Sequence, residues 1–306
     1  MLECKKMLSL ISRNTKCYFK NKFMFFTSLI TPLILFVLYV TFLRNIYISS
    51  FESISKEFDI TIKPRVLNGI TGAWLMSSIL SVSSLTVAFC SNIIMVDDKM
   101  NSTVNDFNVS PVKKTTIAFS YFVSNFFVTF IVIMCIMLVG HVYLAAVGWY
   151  IPVGDTIMII VDCICAILFG TLLAGLVESF ISTQGGISAV STLVSSMYGF
   201  ICGAYMPLSQ FSEGLRNVLG LLPGTYSVGI MRNHYMNGYV NEMVKSIEDH
   251  ATAEGMLNGI KDGFDANLYV FGNQVSLGAM YGILLGACAV LLAGYITLVI
   301  LKSKKK

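Results

Sequence analysis

Charge is scarce in this chain. Asp, Glu, Lys and Arg together make up 12% of its 306 residues, against about 25% in soluble domains. A soluble globular fold is excluded, and the 55% hydrophobic content points to an all-α polytopic membrane protein. The dipeptide Gly-Lys does not occur, so no Gly-x-x-x-x-Gly-Lys-Ser/Thr loop is available to cradle the phosphates of ATP. His-Glu-x-x-His, Gly-x-Ser-x-Gly and Cys-x-x-Cys are also missing, which removes the common zinc-hydrolase, serine-hydrolase and dithiol chemistries. The histidines are His141, His234 and His250, widely spaced in the sequence. The chain is expected to be no enzyme, to hold no cofactor or metal, and to have no nucleic-acid partner. Cysteine is present but misplaced for disulfides. Cys4 and Cys17 lie in the basic N-terminal segment, and the other six fall in apolar runs. Small buried packing residues are the expectation.

Long apolar runs are what the chain does have. Six are long enough to cross a hydrocarbon core, which takes about 20 helical residues: 24–43, 69–96, 116–140, 156–177, 185–206 and 275–301. Asp162 is the one acidic or basic residue within them. Lysine and arginine crowd the N-terminal segment (Lys5, Lys6, Arg13, Lys16, Lys20, Lys22), the loop after the second run (Lys99, Lys113, Lys114) and the C-terminal Lys302, Lys304, Lys305 and Lys306. The positive-inside rule then puts both termini in the cytoplasm. The first run is too long for a signal-peptide core and is expected to stay as a span. Trp74, Trp149 and Tyr150 sit where an outer aromatic belt would fall.

Residues 5–22 read as an amphipathic interfacial helix attracted to anionic membrane lipid. Residues 97–115 form a cytoplasmic loop with a short helix broken at Pro111. Its apolar pair, Phe107 and Val109, either docks a partner or tucks against the base of the bundle. Residues 207–273 form a larger external region, expected to be helical near residues 242–250 and broken by Gly255, Gly259 and Gly263. Hydroxyl stripes recur at helical spacing in two spans, as Ser77, Ser81 and Ser84, and as Ser188, Thr192 and Ser195. Such stripes line a pathway or hydrogen-bond between packed helices. Asp162 is either a substrate or ion site or a solvated or hydrogen-bonded structural acid, and Glu178 is expected at the interface. Gly278, Gly282 and Gly286 make a small-residue face for close helix packing.

The most informative stretch is GAYMPLSQFSEGLRNVLGLLPGTYSVGIMR, residues 203–232. It ends an apolar run, turns between Pro207 and Pro223, and reaches a Thr-Tyr pair before Arg232. Broken backbone at membrane depth needs protein or a water-filled cavity to satisfy its polar groups. Gly203, Pro207, Pro223, Thr225, Tyr226 and Arg232 resemble the end of the fifth span and the external re-entrant hairpin of type 2 ABC exporter permeases. Asn108-Val-Ser-Pro-Val-Lys113 looks like the end of that family's coupling region.

The resemblance spans nearly the whole chain, its specific motifs covering those two regions, and residues 1–306 are taken as a single permease domain. It implies six transmembrane helices, an N-terminal elbow helix at 5–22, a coupling loop at 97–115 and an external hairpin and cap at 207–273. It also implies an exporter in a bacterial plasma membrane that moves a drug, peptide or lipid-like substrate by alternating access. Its partners would be a second permease chain, identical or sibling, and a cytosolic ABC ATPase that binds ATP and Mg. The coupling residues would be Asn105, Asp106, Phe107, Asn108, Val109, Ser110, Pro111, Val112 and Lys113, and the external gate the six residues from Gly203 to Arg232. Two departures stand out: a long 233–273 segment, and Asp97-Asp98 where relatives carry a Glu-Arg-like pair. An ion-coupled carrier using Asp162, or a sensor binding a ligand through its cap, are the competing readings.

Overall fold

Proline marks where several helices begin, because its fixed φ and missing N–H cost nothing in a first turn. In the computed structural model, which describes residues 2–39, 41, 44–57, 62–110, 112–245, 247 and 249–304, Pro64 opens α4 and Pro223 opens α10. The chain runs α1 (Leu2–Lys20), α2 (Lys22–Leu38), α3 (Arg44–Glu57), α4 (Pro64–Met100), α5 (Thr103–Val109), α6 (Lys114–Val147), α7 (Val153–Glu178) and α8 (Gln184–Ile201). A 3₁₀ turn at Leu208–Gln210 precedes α9 (Glu213–Leu219), α10 (Pro223–Val244) and α11 (His250–Gly263). Strands β1 (Leu268–Val270) and β2 (Asn273–Val275) lead into α12 (Leu277–Lys304).

Four helices, α4, α6, α7 and α12, are long and apolar enough to cross a membrane. A fifth span is reached if α1 and α2, bent by 73° at Asn21, are taken together. The bend has a local cause: the Asn21 side chain accepts the Met24 N–H at 3.2 Å and restarts the helix, as an N-cap does. α8 falls outside this set because Ser188, Ser191, Thr192, Ser195 and Ser196 dilute its apolar content.

α4 is the central post. Its most apolar stretch is 83% buried, against 17% for α12, and it packs against α7, α6, α10, α2 and α8. A helix buried all round must be apolar or small all round, and α4 carries Ser77, Ser78, Ser81, Ser83 and Ser84 among its aliphatics. The α4–α7 crossing depends on Gly170. A Cβ there would stand 2.7 Å from the Ser84 carbonyl oxygen and 3.0 Å from Leu85 Cα, so two backbones meet where a side chain cannot fit.

Over one end of the bundle lies a cap. Phe51 of α3 stacks on Phe264 with centroids 3.9 Å apart, and Tyr47 bridges to Trp74 at 4.3 Å. In the β1–β2 hairpin Leu268 faces Val275 and Val270 faces Asn273. Its two-residue turn, Phe271-Gly272, has positive φ at both positions, the arrangement that suits the strand twist. The Asn217 side chain fixes that turn by accepting the Phe271 N–H at 2.8 Å.

Several expectations are corrected. Trp74 is no interfacial belt residue: it is 1% exposed and packed beneath the cap, whereas Trp149 is 41% exposed. Glu178 is fully buried and accepts the Asn92 amide at 2.9 Å. Gly255 and Gly259 do not break their segment, because α11 runs through both. Helix cost at two glycines is offset by burial of Met256 and Ile260 on its inner face. The hairpin at 268–275 was not anticipated. The face of Gly278, Gly282 and Gly286 has no neighbour within 4 Å of any added Cβ among the described residues.

Candidate functional site

At the capped end, the residues of 203–232 fall into two hydrogen-bonded clusters. The first forms where α8 ends. Gly203 adopts φ +74°, a left-handed conformation that glycine enters without penalty, and this turns the chain into Pro207 and the 3₁₀ turn. The Gly203 carbonyl then accepts Arg232 Nη2 at 2.6 Å. Arg232 is 1% exposed. It also donates to Ser78 Oγ of α4 at 3.3 Å, pairs with Asp265 at 3.3 Å, and lies over the Trp74 ring at 4.8 Å.

Asp265 completes the cluster by accepting the backbone N–H groups of Leu208 and Ser209. Burial pushes its carboxyl above the usual carboxylate range, against the pull of Arg232 and of those N–H groups. One carboxylate thus ties the start of the hairpin to α10, and through Arg232 to α4. Sequence reasoning missed Asp265. A buried arginine calls for an anion, but Glu242, Glu248, Asp249, Glu254 and Asp262 all come before Asp265 in the sequence, so proximity along the chain did not single it out.

The second cluster closes the α9–α10 turn. Pro223 supplies the first residue of α10, the Thr225 hydroxyl donates to the Leu219 carbonyl at 2.7 Å, and Tyr226 donates to the Gly220 carbonyl at 2.5 Å. Both side chains satisfy carbonyls orphaned by the end of a helix. Gly203, Pro207 and Arg232 therefore serve one junction, and Pro223, Thr225 and Tyr226 another.

The opposite end is basic. Asp98, 6% exposed near the end of α4, accepts both guanidinium nitrogens of Arg13 from α1 and the Tyr121 hydroxyl of α6 at 2.5 Å. Arg13 also lies over the Phe107 ring of α5, 5.6 Å from its centroid. A fork-to-carboxylate pair fixes orientation as well as charge, so α1, α4 and α6 meet at one carboxylate and α5 joins them through Arg13. The apolar pair of α5 divides: Phe107 packs onto the core cluster while Val109 is 87% exposed. Ser110 Oγ donates to the Phe107 carbonyl at 2.7 Å, Asp106 and Lys113 are exposed, and Val112 packs onto the core. Pro111 and the side chains of Asn105 and Asn108 lie outside the described residues.

Between α2 and α8 runs a groove of about 650 Å³. Ser188, Thr192 and Ser195 line it, facing Thr27, Thr31 and Ile34 of α2. The stripe on α4 is elsewhere. Ser77 and Ser84 return their hydroxyls to the carbonyls of Trp74 and Leu80, each at 2.7 Å, and Ser81 meets Ser227 of α10 at 2.8 Å. The two stripes are not brought together.

Asp162 is 2% exposed, not solvated. It accepts or shares hydrogen bonds with His234 Nδ1 of α10 at 2.7 Å and with the Tyr281 hydroxyl of α12. The carboxylate joins three helices, and the partners came from segments that sequence spacing could not connect.

A family model described as ABC-2 type transporter matches residues 5–236. No curated protein and no solved structure matches the chain. The matched range takes in the bent α1–α2 pair, the Asp98 junction with α5, the α2–α8 groove and the whole 203–232 segment. Over three quarters of its length, then, this chain belongs to the ABC-2 type transporter family, as a membrane subunit of an ABC transporter.

Proposed function

We propose that the chain is the permease of an ATP-driven exporter that moves a drug, peptide or lipid-like substrate out of a bacterial cytoplasm. It works as a pair with a second, identical or sibling permease. Each permease rests on a cytosolic ABC ATPase, which binds the ATP and Mg that this chain, without a P-loop, does not. In this reading α2 and α8 join α4, α6, α7 and α12 as six spans. Both termini, α1 and α5 face the cytoplasm, and the cap lies outside.

The observation that carries the proposal is the junction at Asp98. α5 is the coupling helix and Val109 its exposed contact. A displacement of α5 reaches Phe107, then Arg13 above it, and through the Arg13–Asp98 pair both α1 and α4. Because α1 continues into α2 through the bend at Asn21, that displacement changes the gap between α2 and α8. The groove with Ser188, Thr192 and Ser195 is thereby one wall of the substrate path, opened by rigid-body movement. The Arg232–Asp265 cluster holds the outer hairpin shut until that movement reaches α4 at Ser78.

Thiol accessibility tests this. In a variant lacking the native cysteines, Thr192→Cys is labelled by an impermeant maleimide from the cytoplasmic side at rest. With ATP and vanadate, labelling is expected to shift to the external side. Labelling that ignores the nucleotide, with the ATPase present, would remove alternating access from the account.

A further inference from the structure

Beneath the cap lies a cavity of about 360 Å³, bounded by α9, the first turn of α10, the turn at 263–267 and β1. It is separate from α5 and from the α2–α8 groove. Its volume lies within the range of small-molecule sites. One wall is Arg216 of α9: among the described residues its buried Nε has no hydrogen-bond partner and its guanidinium forms no ion pair. Leaving a buried donor unmade is costly, and a cavity-facing arginine is the side chain best suited to a planar oxyanion.

The other walls narrow the ligand. Leu208, Leu268 and Val270 give an apolar floor. Asp262 uses Oδ1 to accept Asn267 Nδ2 at 2.7 Å and the Tyr269 hydroxyl at 3.1 Å, and Asp265 is engaged by Arg232. Two carboxylates in the same wall repel a dianion, while a single guanidinium matches a monoanion. We infer that this cavity binds a small carboxylate-bearing molecule with an apolar body, its carboxylate on Arg216 and its body against Leu268 and Val270. Thr225 and Tyr226, which close the α9–α10 turn, also line the cavity, so the ligand would brace the hairpin from outside. The inference stands whether or not ATP drives the pair.

The test uses saturation-transfer NMR on the full chain in detergent micelles, with N-acetyl-L-leucine, L-leucine and L-leucinamide as observed probes and inorganic phosphate as a competitor against N-acetyl-L-leucine. N-acetyl-L-leucine and L-leucine are expected to give saturation transfer and L-leucinamide none. Arg216→Gln should weaken N-acetyl-L-leucine by about tenfold or more. Arg216→Lys should retain part of the affinity, because it keeps the charge and loses the fork. Thermal unfolding of both variants at the wild-type temperature keeps the comparison free of misfolding. Equal signals from L-leucinamide, unchanged binding in Arg216→Gln, or tighter binding of inorganic phosphate than of N-acetyl-L-leucine would each overturn the assignment.

Discussion

Asp265→Ala attacks the hairpin junction at its missing-charge point, and its cost is open to calculation. Removing one side of a buried pair leaves Arg232, 1% exposed, without its anion, a loss of about 3–5 kcal/mol. The N–H groups of Leu208 and Ser209 lose their acceptor as well, at about 1–3 kcal/mol each. Arg232 keeps the Gly203 carbonyl, Ser78 Oγ and the Trp74 face, so the low end of each range applies. The sum is about 5 kcal/mol, a large share of ordinary domain stability. The double variant Arg232→Leu, Asp265→Ala removes the stranded charge and leaves the Leu208 and Ser209 N–H groups and the Gly203 carbonyl without those partners, about 3 kcal/mol at the low end. It should therefore be more stable than Asp265→Ala alone. Equilibrium unfolding by SDS in mixed micelles reads both. A single-variant cost below about 1 kcal/mol, or a double variant equal to the sum of its singles, would refute the reasoning.

Gly170→Val should lower the yield of folded protein by gel filtration, since its Cβ meets the α4 backbone at 2.7 Å and overpacking costs about 1–3 kcal/mol. Gly278→Val, with nothing within 4 Å, should fold like wild type. Asp162→Asn weakens the carboxylate's bonds to His234 and Tyr281 and is expected to cost about 1–3 kcal/mol in the same SDS assay. Unchanged stability would show that Asp162 does not join the three helices. At the start of α11, Thr252 donates its N–H and hydroxyl to Asp249, which holds that exposed carboxyl below the ordinary carboxylate range. A depressed folded value means that the cap is intact above the unfolded value of about 3.9. It is lost as pH falls through the folded value. Amide exchange of Thr252 should therefore be protected at neutral pH and unprotected in strong acid, and unprotected at both in Asp249→Ala.

The parts of this fold that announce themselves in sequence are the local ones. Long apolar runs mark α4, α6, α7 and α12, with Asp162 of α7 the one charge among them, and the basic amphipathic segment 5–22 is α1 but for its ends. Pro223 marks the start of α10 because a missing N–H has a strong positional meaning. The small hairpin at 268–275 left only Gly272 as a mark of its turn, because neither Leu268-Tyr269-Val270 nor Asn273-Gln274-Val275 alternates apolar with polar. Pairings across long separations were not legible. Asp265 lies 33 residues from Arg232 and Asp98 lies 85 from Arg13, and no spacing rule links such positions. Exposure was equally hidden. Ser77 and Ser188 look alike in sequence, yet α4 is buried all round while α8 lines an open groove.

The account's central claim is that α5 is where an ATPase engages this permease. The most direct measurement is purification of the chain in mild detergent from its native membrane, with identification of what accompanies it. Wild type should bring down a P-loop ATPase. Val109→Asp should lose it while eluting as a folded protein, because Val109 is 87% exposed and supports nothing inside the bundle. A chain recovered free of any ATPase, or a Val109→Asp variant that keeps its ATPase in full, would contradict the claim.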